Sequence, residues 1–254
     1  ELLKKLKLGT ADLALPSTVM TSVAPEFGVF EMPYLVQDRG HAARIADKVI
    51  RPVLGPIAEK AGYHILAVWE NGYRHITNNK RPIVKPADLE GVKLRVPGGV
   101  WRVKMFKAYG ANPSPMELKE VFVALQTGVM DGQEIPLTQI YSQKFQEVQK
   151  YLSMTGHVYT PAYLTAGASW SRLPADVQKI LADTAKEVEP DILKLAAKLD
   201  DELVDKMKKS GIAVNEADKA AFVAASKSVY EEFAKQVPLG KKLIDDSLAL
   251  AKGS

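Results

Sequence analysis

Arg95 is the side chain whose setting in the sequence most clearly suggests chemistry. It lies in a hydrophobic stretch, residues 94–97, that is followed by Gly98 and Gly99. A guanidinium in such a strand either faces solvent or pairs with an anion in a concave site. Its planar fork of N–H donors matches the two oxygens of a carboxylate. By local pattern alone, an outward-facing arginine is the simpler of the two alternatives.

The side chains typical of catalysis do not form a recognisable motif in this sequence. The four histidines, His41, His64, His75 and His157, show no pairwise spacing of three or four residues that would place two of them on one helical face. The sequence has no phosphate-binding loop, no dinucleotide-binding glycine pattern and no nucleophile elbow. We therefore expect no cofactor and no metal, and catalysis by a cofactor-dependent enzyme is disfavoured.

Composition excludes several other classes of protein. The 254 residues contain 46% hydrophobic and 25% charged side chains, which is typical of a globular chain large enough for one or two domains. There is no cysteine, so a disulfide scaffold, a thiol nucleophile and an iron–sulfur cluster are excluded. The formal net charge is only +4 with acids and bases interspersed, which argues against a nucleic-acid partner. No apolar run approaches the ~18 residues of a membrane-spanning helix, so we expect no direct membrane insertion.

Helical and strand patterns alternate along the chain and predict an α/β fold. Residues 11–15 read as a short strand that places Ser17 just beyond its end, and residues 63–69 and 73–77 read as two strands separated by a turn. Residues 151–169 are extended and rich in aromatic side chains, whereas residues 174–210 predict one long helix kinked at Pro190. Such alternation is typical of sheets that are mainly parallel.

Several long segments resemble the substrate-binding proteins of tripartite ATP-independent periplasmic (TRAP) transporters, the DctP-like family. The resemblance covers essentially the whole chain, and its motifs occur in the family's order. These segments are residues 2–13, 32–34, 72–74 with 77–79, 88–97, 110–116, 120–134, 144–152 and 155–157. The resemblance implies a periplasmic-binding-protein-like fold of two α/β lobes, joined by strands that cross between them and spanned by the long helix. Family members open with a strand, a helix and a second strand that we expect to be missing before Glu1.

The lobes implied by the family are discontinuous in this sequence. We predict that lobe I comprises residues 1–72 and 160–200, and that lobe II comprises residues 73–159 and 201–254. The resemblance also implies a mechanism: the ligand binds in the open cleft, lobe closure buries it, and the closed form is recognised by the transporter's integral membrane subunits. We therefore predict a periplasmic protein that is not an enzyme and whose partners are a small organic acid and those subunits. The alternatives are a ligand-sensing module of a receptor or regulator, and an enzyme on a similar scaffold.

Family resemblance also assigns candidate ligand-binding residues. Arg95 matches the arginine that pairs with the ligand carboxylate, and Arg74 matches, within one residue of His75, a second arginine used by some members. Ser17 and Leu118 stand where sialic-acid binders carry glutamate and phenylalanine. Ile135 replaces an asparagine that helps to hold the carboxylate in many members. These three replacements favour a ligand with an apolar body over a polyhydroxylated sugar acid.

Two aromatic residues complete the set of candidates. Tyr159 lies in the predicted crossing region, and Trp101 begins the helix after Gly99. Either ring could line the ligand pocket, although a buried tryptophan is more often part of a core. From these residues we predict capture of a small monocarboxylate with an apolar body, namely a 2-oxo or 2-hydroxy acid.

Overall fold

A computed structural model describes residues 1–251 of the chain, so the last three residues of the predicted lobe II lie outside the described residues. The strands are β1 (Leu13–Ala14), β2 (His64–Asn78), β3 (Lys93–Val96), β4 (Asn112–Pro115), β5 (Gly132–Pro136), β6 (Tyr151–Ala166) and β7 (Ala213–Glu216). The helices are α1 (Leu2–Leu8), α2 (Arg39–Ile45), α3 (Gly55–Lys60), α4 (Val100–Ala108), α5 (Leu118–Gln126), α6 (Leu137–Ser142), α7 (Ala175–Glu187), α8 (Glu189–Lys209), α9 (Lys219–Ala225), α10 (Lys227–Gln236) and α11 (Gly240–Ala249). Short 3₁₀ turns connect several of these elements, and Ala46–Leu54 joins α2 to α3 in wider π-helical turns.

Within residues 1–251 the strands form one seven-stranded sheet in the order β1-β6-β2-β5-β3-β4, with β7 beside β6. The expectation of a mainly parallel sheet is wrong. The two longest strands, β2 and β6, run antiparallel from the pair His64–Ala166 to the pair Asn78–Tyr151. β1 with β6 and β2 with β5 are also antiparallel, whereas β3 pairs in parallel with both β4 and β5. Alternation of elements reveals their type, but the direction of pairing depends on which distant segment returns beside each strand.

The predicted turn between two strands at residues 70–72 is instead a bulge inside the continuous strand β2. Glu70 pairs with Pro161 and Gly72 with Thr160, so the register skips Asn71. Gly72 has a φ of 116°, which side chains with a Cβ rarely adopt, and this explains why the turn-like sequence can bend without ending the strand. The bulge re-aims the residues that follow it, including Arg74.

The long helical prediction for residues 174–210 is confirmed, with a break where the kink was expected. α7 ends at Glu187, and α8 begins at Glu189 with Pro190 in its first turn, where the missing backbone N–H has no intrahelical partner to lose.

Two apolar clusters flank the sheet. The larger contains the side chains around β2, β3 and β6, and the smaller joins Leu203 and Met207 of α8 to Ile135 and its neighbours.

Candidate ligand-binding site

A cavity of about 350 Å³ lies beside the bulged middle of β2 and the C-terminal ends of β3 and β5. It brings together five of the seven predicted ligand-binding residues, which are Ser17, Arg74, Arg95, Leu118 and Ile135. Those residues are far apart in the sequence, and the sheet order gathers them because β5 lies between β2 and β3. The size of the cavity suits a small organic molecule.

Arg95 faces this cavity rather than solvent. Its side chain is only 3% exposed, and its Nε and Nη2 donate to the carbonyl oxygen of Met116 at 2.9 and 2.6 Å. Its Nη1 is buried and has no hydrogen-bond partner among residues 1–251. Burial lowers the pKa of Arg95 to about 10, so the guanidinium is protonated at neutral pH. The structure therefore presents a fixed cation with an unsatisfied donor at the cavity wall.

Arg74 also lines this cavity and is held by Glu134 of the neighbouring strand β5. Its Nε donates to Glu134 Oε2 at 2.6 Å, and its Nη2 donates to the Glu134 backbone carbonyl at 2.8 Å. The adjacent His75 lines a different cavity, as alternation along a strand requires. Of these two neighbours, Arg74 is therefore the one that lines the candidate ligand site.

Glu134 is the centre of a buried ionic cluster that the sequence did not reveal. Besides Arg74, its carboxylate accepts from Arg102 Nη1 at 2.7 Å and from His157 Nε2 at 3.0 Å. Arg102 also lies 2.7 Å from Glu31, measured between Nη2 and Oε2. Burial works to raise the pKa of Glu134, but Arg102 and Arg74 outweigh it and hold that pKa well below its usual range. Glu134 is therefore ionised.

The protonation state of His157 follows from its two partners. A carboxylate only accepts, so Nε2 carries the proton that is donated to Glu134, and Nδ1 accepts from the hydroxyl of Thr155 at 2.7 Å. Burial lowers the pKa of His157 to about 4, so the ring is neutral at pH 7. His157 orients the Glu134 carboxylate without adding charge to the cluster.

Taken together, the buried groups around the cavity carry one excess positive charge. Among residues 1–251, the guanidinium groups of Arg74 and Arg102 form ion pairs with the carboxylates of Glu31 and Glu134, and that of Arg95 forms none. Glu117 also lines the cavity, but its side chain is exposed and solvent screens its charge. Because a buried charge is costly unless it is paired, the site favours a ligand that brings one negative charge.

The other predicted residues that line the cavity have distinct characters. The Ser17 hydroxyl donates to the Pro161 carbonyl at 2.7 Å and keeps lone pairs free to accept. Leu118 and Ile135 supply apolar surface, and Ile135 is almost fully buried against the smaller core cluster. Thr18, Asn71 and Gln139 also line the cavity and were not predicted. Asn71 was missed because the sequence places it in a turn.

Trp101 and Tyr159 do not line this cavity, and their predicted place at its wall is corrected. The Trp101 ring packs edge-to-face on Phe233 with centroids 5.1 Å apart. Tyr159 pairs with Tyr73 of β2 on the opposite face of the sheet from Arg74, with ring centroids 5.0 Å apart. Side chains on one strand alternate between the two faces, and the bulges in β2 could not be placed from the sequence.

Acid should destabilise the protein through the two buried histidines His75 and His157, which are neutral at pH 7. Burial lowers the pKa of His157 to about 4 and that of His75 to about 3, both from 6.5. The unfolded chain therefore binds more protons below pH 6.5, and we expect each histidine to reduce the free energy of unfolding by about 2 kcal/mol at pH 5 relative to pH 7. Urea unfolding at the two pH values measures the loss. His75→Gln should remove about half of it, and equal stabilities at pH 7 and pH 5 would contradict the assignment.

Fold and site together define a protein that binds a small anionic solute. The profile of the DctP family, described as bacterial extracellular solute-binding protein, family 7, matches residues 1–236. The chain is 35% identical over 240 residues to the 2,3-diketo-L-gulonate-binding periplasmic protein YiaO of Escherichia coli, covering 93% of this chain and 73% of that protein. The chain belongs to the DctP family.

Solved structures agree with this assignment. A TRAP periplasmic solute-binding protein from Bordetella bronchispeptica, with density interpreted as pantoate, superposes with a TM-score of 0.92 at 36% identity and covers 97% of this chain and 82% of that chain. A second, from Polaromonas sp. JS666 and bound to D-erythronate, has a TM-score of 0.92 at 35% identity with the same coverage. The predicted two-lobed fold, the solute-binding rather than enzymatic class and the periplasmic location are confirmed.

Among residues 1–251, no helix combines the length and the apolar character needed to cross a bilayer.

Proposed function

We propose that this protein captures a small monocarboxylate with an apolar body, a 2-oxo or 2-hydroxy acid, and delivers it to the membrane subunits of a TRAP transporter. The observation that carries the proposal is the guanidinium of Arg95, a residue that lines the cavity and whose buried Nη1 has no hydrogen-bond partner among residues 1–251, beside a cluster that is one negative charge short. A ligand carboxylate supplies both the missing acceptor and the missing charge.

The energetics support a ligand that is more than a carboxylate. Charge-assisted hydrogen bonds contribute about 1.5–3 kcal/mol each, whereas micromolar affinity corresponds to about 8 kcal/mol. Burying ~150 Å² of branched or aromatic hydrocarbon adds roughly 4 kcal/mol before ordering costs. Ile135 and Leu118 offer such apolar surface in the same cavity as Arg95.

Of the ligands named for two relatives, pantoate is compatible with this class, whereas D-erythronate is a polyhydroxylated acid without an apolar body. Pantoate and D-erythronate, named for the two solved structures, are both small monocarboxylates with hydroxyl groups. Pantoate also carries two methyl groups on a branched carbon, which is the kind of body that Ile135 and Leu118 would contact. Those ligands belong to those proteins, and for this chain they define the range of acids to be tested.

In the proposed mechanism, residues 1–72 with 160–200 form one lobe and residues 73–159 with 201–254 form the other. The two segments of chain that would cross between them are the paired strands β2 and β6, and α8 would span both lobes. The ligand shifts the balance toward the closed form only by binding it more tightly than the open form. Arg95 and Ser17 fall in different lobes under this division, so one ligand touching both favours closure.

Calorimetry tests the proposed ligand class. Benzoylformate, mandelate and 2-oxoisovalerate are titrated into the protein beside sialate and glucuronate. We expect micromolar dissociation constants for at least one of the first three, and binding at least about tenfold weaker for the sugar acids. Preference for sialate or glucuronate would overturn the apolar assignment while leaving the solute-binding class intact.

Ile135 should govern the preference between apolar and polar acids. We expect Ile135→Thr to shift the ratio of dissociation constants by about tenfold toward glucuronate and away from 2-oxoisovalerate, because a hydroxyl replaces the ethyl branch that would contact the ligand body. Calorimetry with both acids measures the ratio, which is insensitive to the fraction of active protein.

The matched control for Ile135 is Ile140→Thr. Ile140 is fully buried in the same apolar cluster but does not line the cavity, so its replacement should lower stability and leave the ratio unchanged. An equal shift in both variants would show that core packing, rather than ligand contact, sets the preference.

A further inference from the structure

The segment that follows β1 contains four hydroxyl side chains, and only one of them is unsatisfied. Ser17, Thr21 and Ser22 each donate to a backbone carbonyl, at 2.7, 2.9 and 2.7 Å. The Thr18 hydroxyl has no hydrogen-bond partner in the described part of the chain, although the side chain is only 8% exposed. Buried hydroxyls are nearly always hydrogen-bonded in native proteins, so this exception requires an explanation.

Thr18 lies where a ligand would supply that partner. It lines the same cavity as Arg95. Its methyl carbon Cγ2 lies near Gly99 in the loop that follows β3, because a Cβ built on that glycine would be 3.8 Å away. The hydroxyl on the same Cβ has no partner among residues 1–251.

Two amides continue the polar lining of the cavity. Gln139 Nε2 donates to Asn71 Oδ1 at 2.5 Å, and Asn71 Nδ2 donates to the Thr160 hydroxyl at 2.8 Å. This chain of hydrogen bonds fixes the orientation of both amides and satisfies Asn71 at both ends. Thr18 is not part of this hydrogen-bond network, so within residues 1–251 no protein group competes with a ligand for its hydroxyl.

We propose that the Thr18 hydroxyl is a specificity determinant that binds an oxygen substituent of the captured acid. The inference rests on the proposed function, in which Arg95 holds the carboxylate. It assigns a protein group to the hydroxyl or oxo oxygen that the proposed function places on the ligand. A threonine hydroxyl both donates and accepts, so it serves either group.

The physical basis is discrimination by an unpaired polar group. An acid without the oxygen leaves the Thr18 hydroxyl buried and unsatisfied when the ligand excludes water, whereas the oxygenated acid satisfies it. Sites that contain such a group reject analogues that lack the matching substituent more strongly than an apolar wall can. Ile135 and Leu118, which have no polar atoms in their side chains, cannot provide this selection.

The test compares two acids with the same carbon skeleton, 2-hydroxyisovalerate and isovalerate, by calorimetry. The wild type should bind the hydroxy acid about tenfold more tightly. Thr18→Val keeps the shape of the side chain and removes the hydroxyl, so it should weaken the hydroxy acid about 5- to 10-fold and leave isovalerate unchanged or slightly tighter. Thr21→Val is the matched control, because it removes a hydroxyl that donates to the protein rather than toward the cavity, and it should affect neither acid.

The outcomes separate this inference from the proposed function. If the wild type binds both acids and Thr18→Val weakens them equally, or changes neither, the role of Thr18 is refuted while capture of monocarboxylates stands. If the wild type binds neither of these acids nor any acid of the calorimetric panel, the proposed function itself fails. Equal effects of Thr18→Val and Thr21→Val would assign the change to the local turn rather than to ligand contact.

Discussion

Arg95→Lys should weaken binding of the captured monocarboxylate by at least about 100-fold. The lysine ammonium retains the charge, but it cannot donate to the Met116 carbonyl and also present two parallel donors to a carboxylate, as the arginine fork can. Two charge-assisted hydrogen bonds are weakened or lost, and 100-fold corresponds to about 2.7 kcal/mol. Calorimetry with the best acid of the panel measures the effect.

The control for this prediction is Arg81→Lys. Arg81 is exposed and donates to the Glu90 carbonyl outside the cavity, so the same exchange there should leave affinity unchanged. An Arg95→Lys variant that binds the acid as tightly as the wild type would show that the guanidinium geometry is not used.

Replacing Arg95 should also show that this side chain is needed for binding but not for the stability of the ligand-free protein. Without ligand, its burial in a cluster with excess positive charge is unfavourable, and its protein hydrogen bonds are confined to one backbone carbonyl among the described residues. We therefore expect Arg95→Met to abolish binding while leaving the free energy of unfolding unchanged or higher. Urea unfolding of the ligand-free protein provides this measurement, and a large loss of stability would argue for a structural role.

Unlike Arg95→Met, Glu134→Gln should lower the free energy of unfolding, by about 3–5 kcal/mol. The substitution removes the carboxylate that pairs with Arg74 and Arg102, and of these ion pairs only Arg102–Glu31 remains among residues 1–251. Removing one partner of a buried ion pair leaves the other charge buried and uncompensated, which is strongly destabilising. His157 also loses the anionic acceptor of its Nε2 proton. The midpoint of urea unfolding should fall accordingly.

Glu117→Gln is the matched control for Glu134, because it makes the same exchange at an exposed position of the cavity wall. It should change the free energy of unfolding by less than about 0.5 kcal/mol. A Glu134→Gln variant within 1 kcal/mol of the wild type would mean that the cluster reorganises, and the charge argument for an anionic ligand would then lose its support.

The buried cluster also explains why a carboxylate ligand fits this scaffold. Arg74 and Arg102 form ion pairs with Glu134 and Glu31, which fix their orientation. Arg95 donates to an uncharged backbone carbonyl instead and forms no ion pair within the described residues. A ligand anion therefore completes an arrangement that is already in place and needs little reorganisation of the protein. Such preorganisation reduces the ordering cost of binding.

Local sequence determined the identity and ends of most elements of this protein. The spacing of apolar residues predicted the α7–α8 segment, and Pro190 marked the break between its two helices. Motif resemblance was sufficient to name Arg95, Arg74, Ser17, Leu118 and Ile135, which the structure places in one cavity. These features depend on residues close in sequence or on a motif whose order is preserved, so they can be read without knowing the fold.

Tertiary structure alone decided how distant segments meet. The antiparallel pairing of β2 with β6, the bulge that skips Asn71 and the face on which Tyr159 lies all depend on strand register across some ninety residues of chain. The ionic cluster around Glu134 likewise joins Arg74, Arg102 and His157 from three separate elements. Periodicity specifies which side chains are buried, but not which buried charges become neighbours, because that is set by packing between segments that have no local relation to one another.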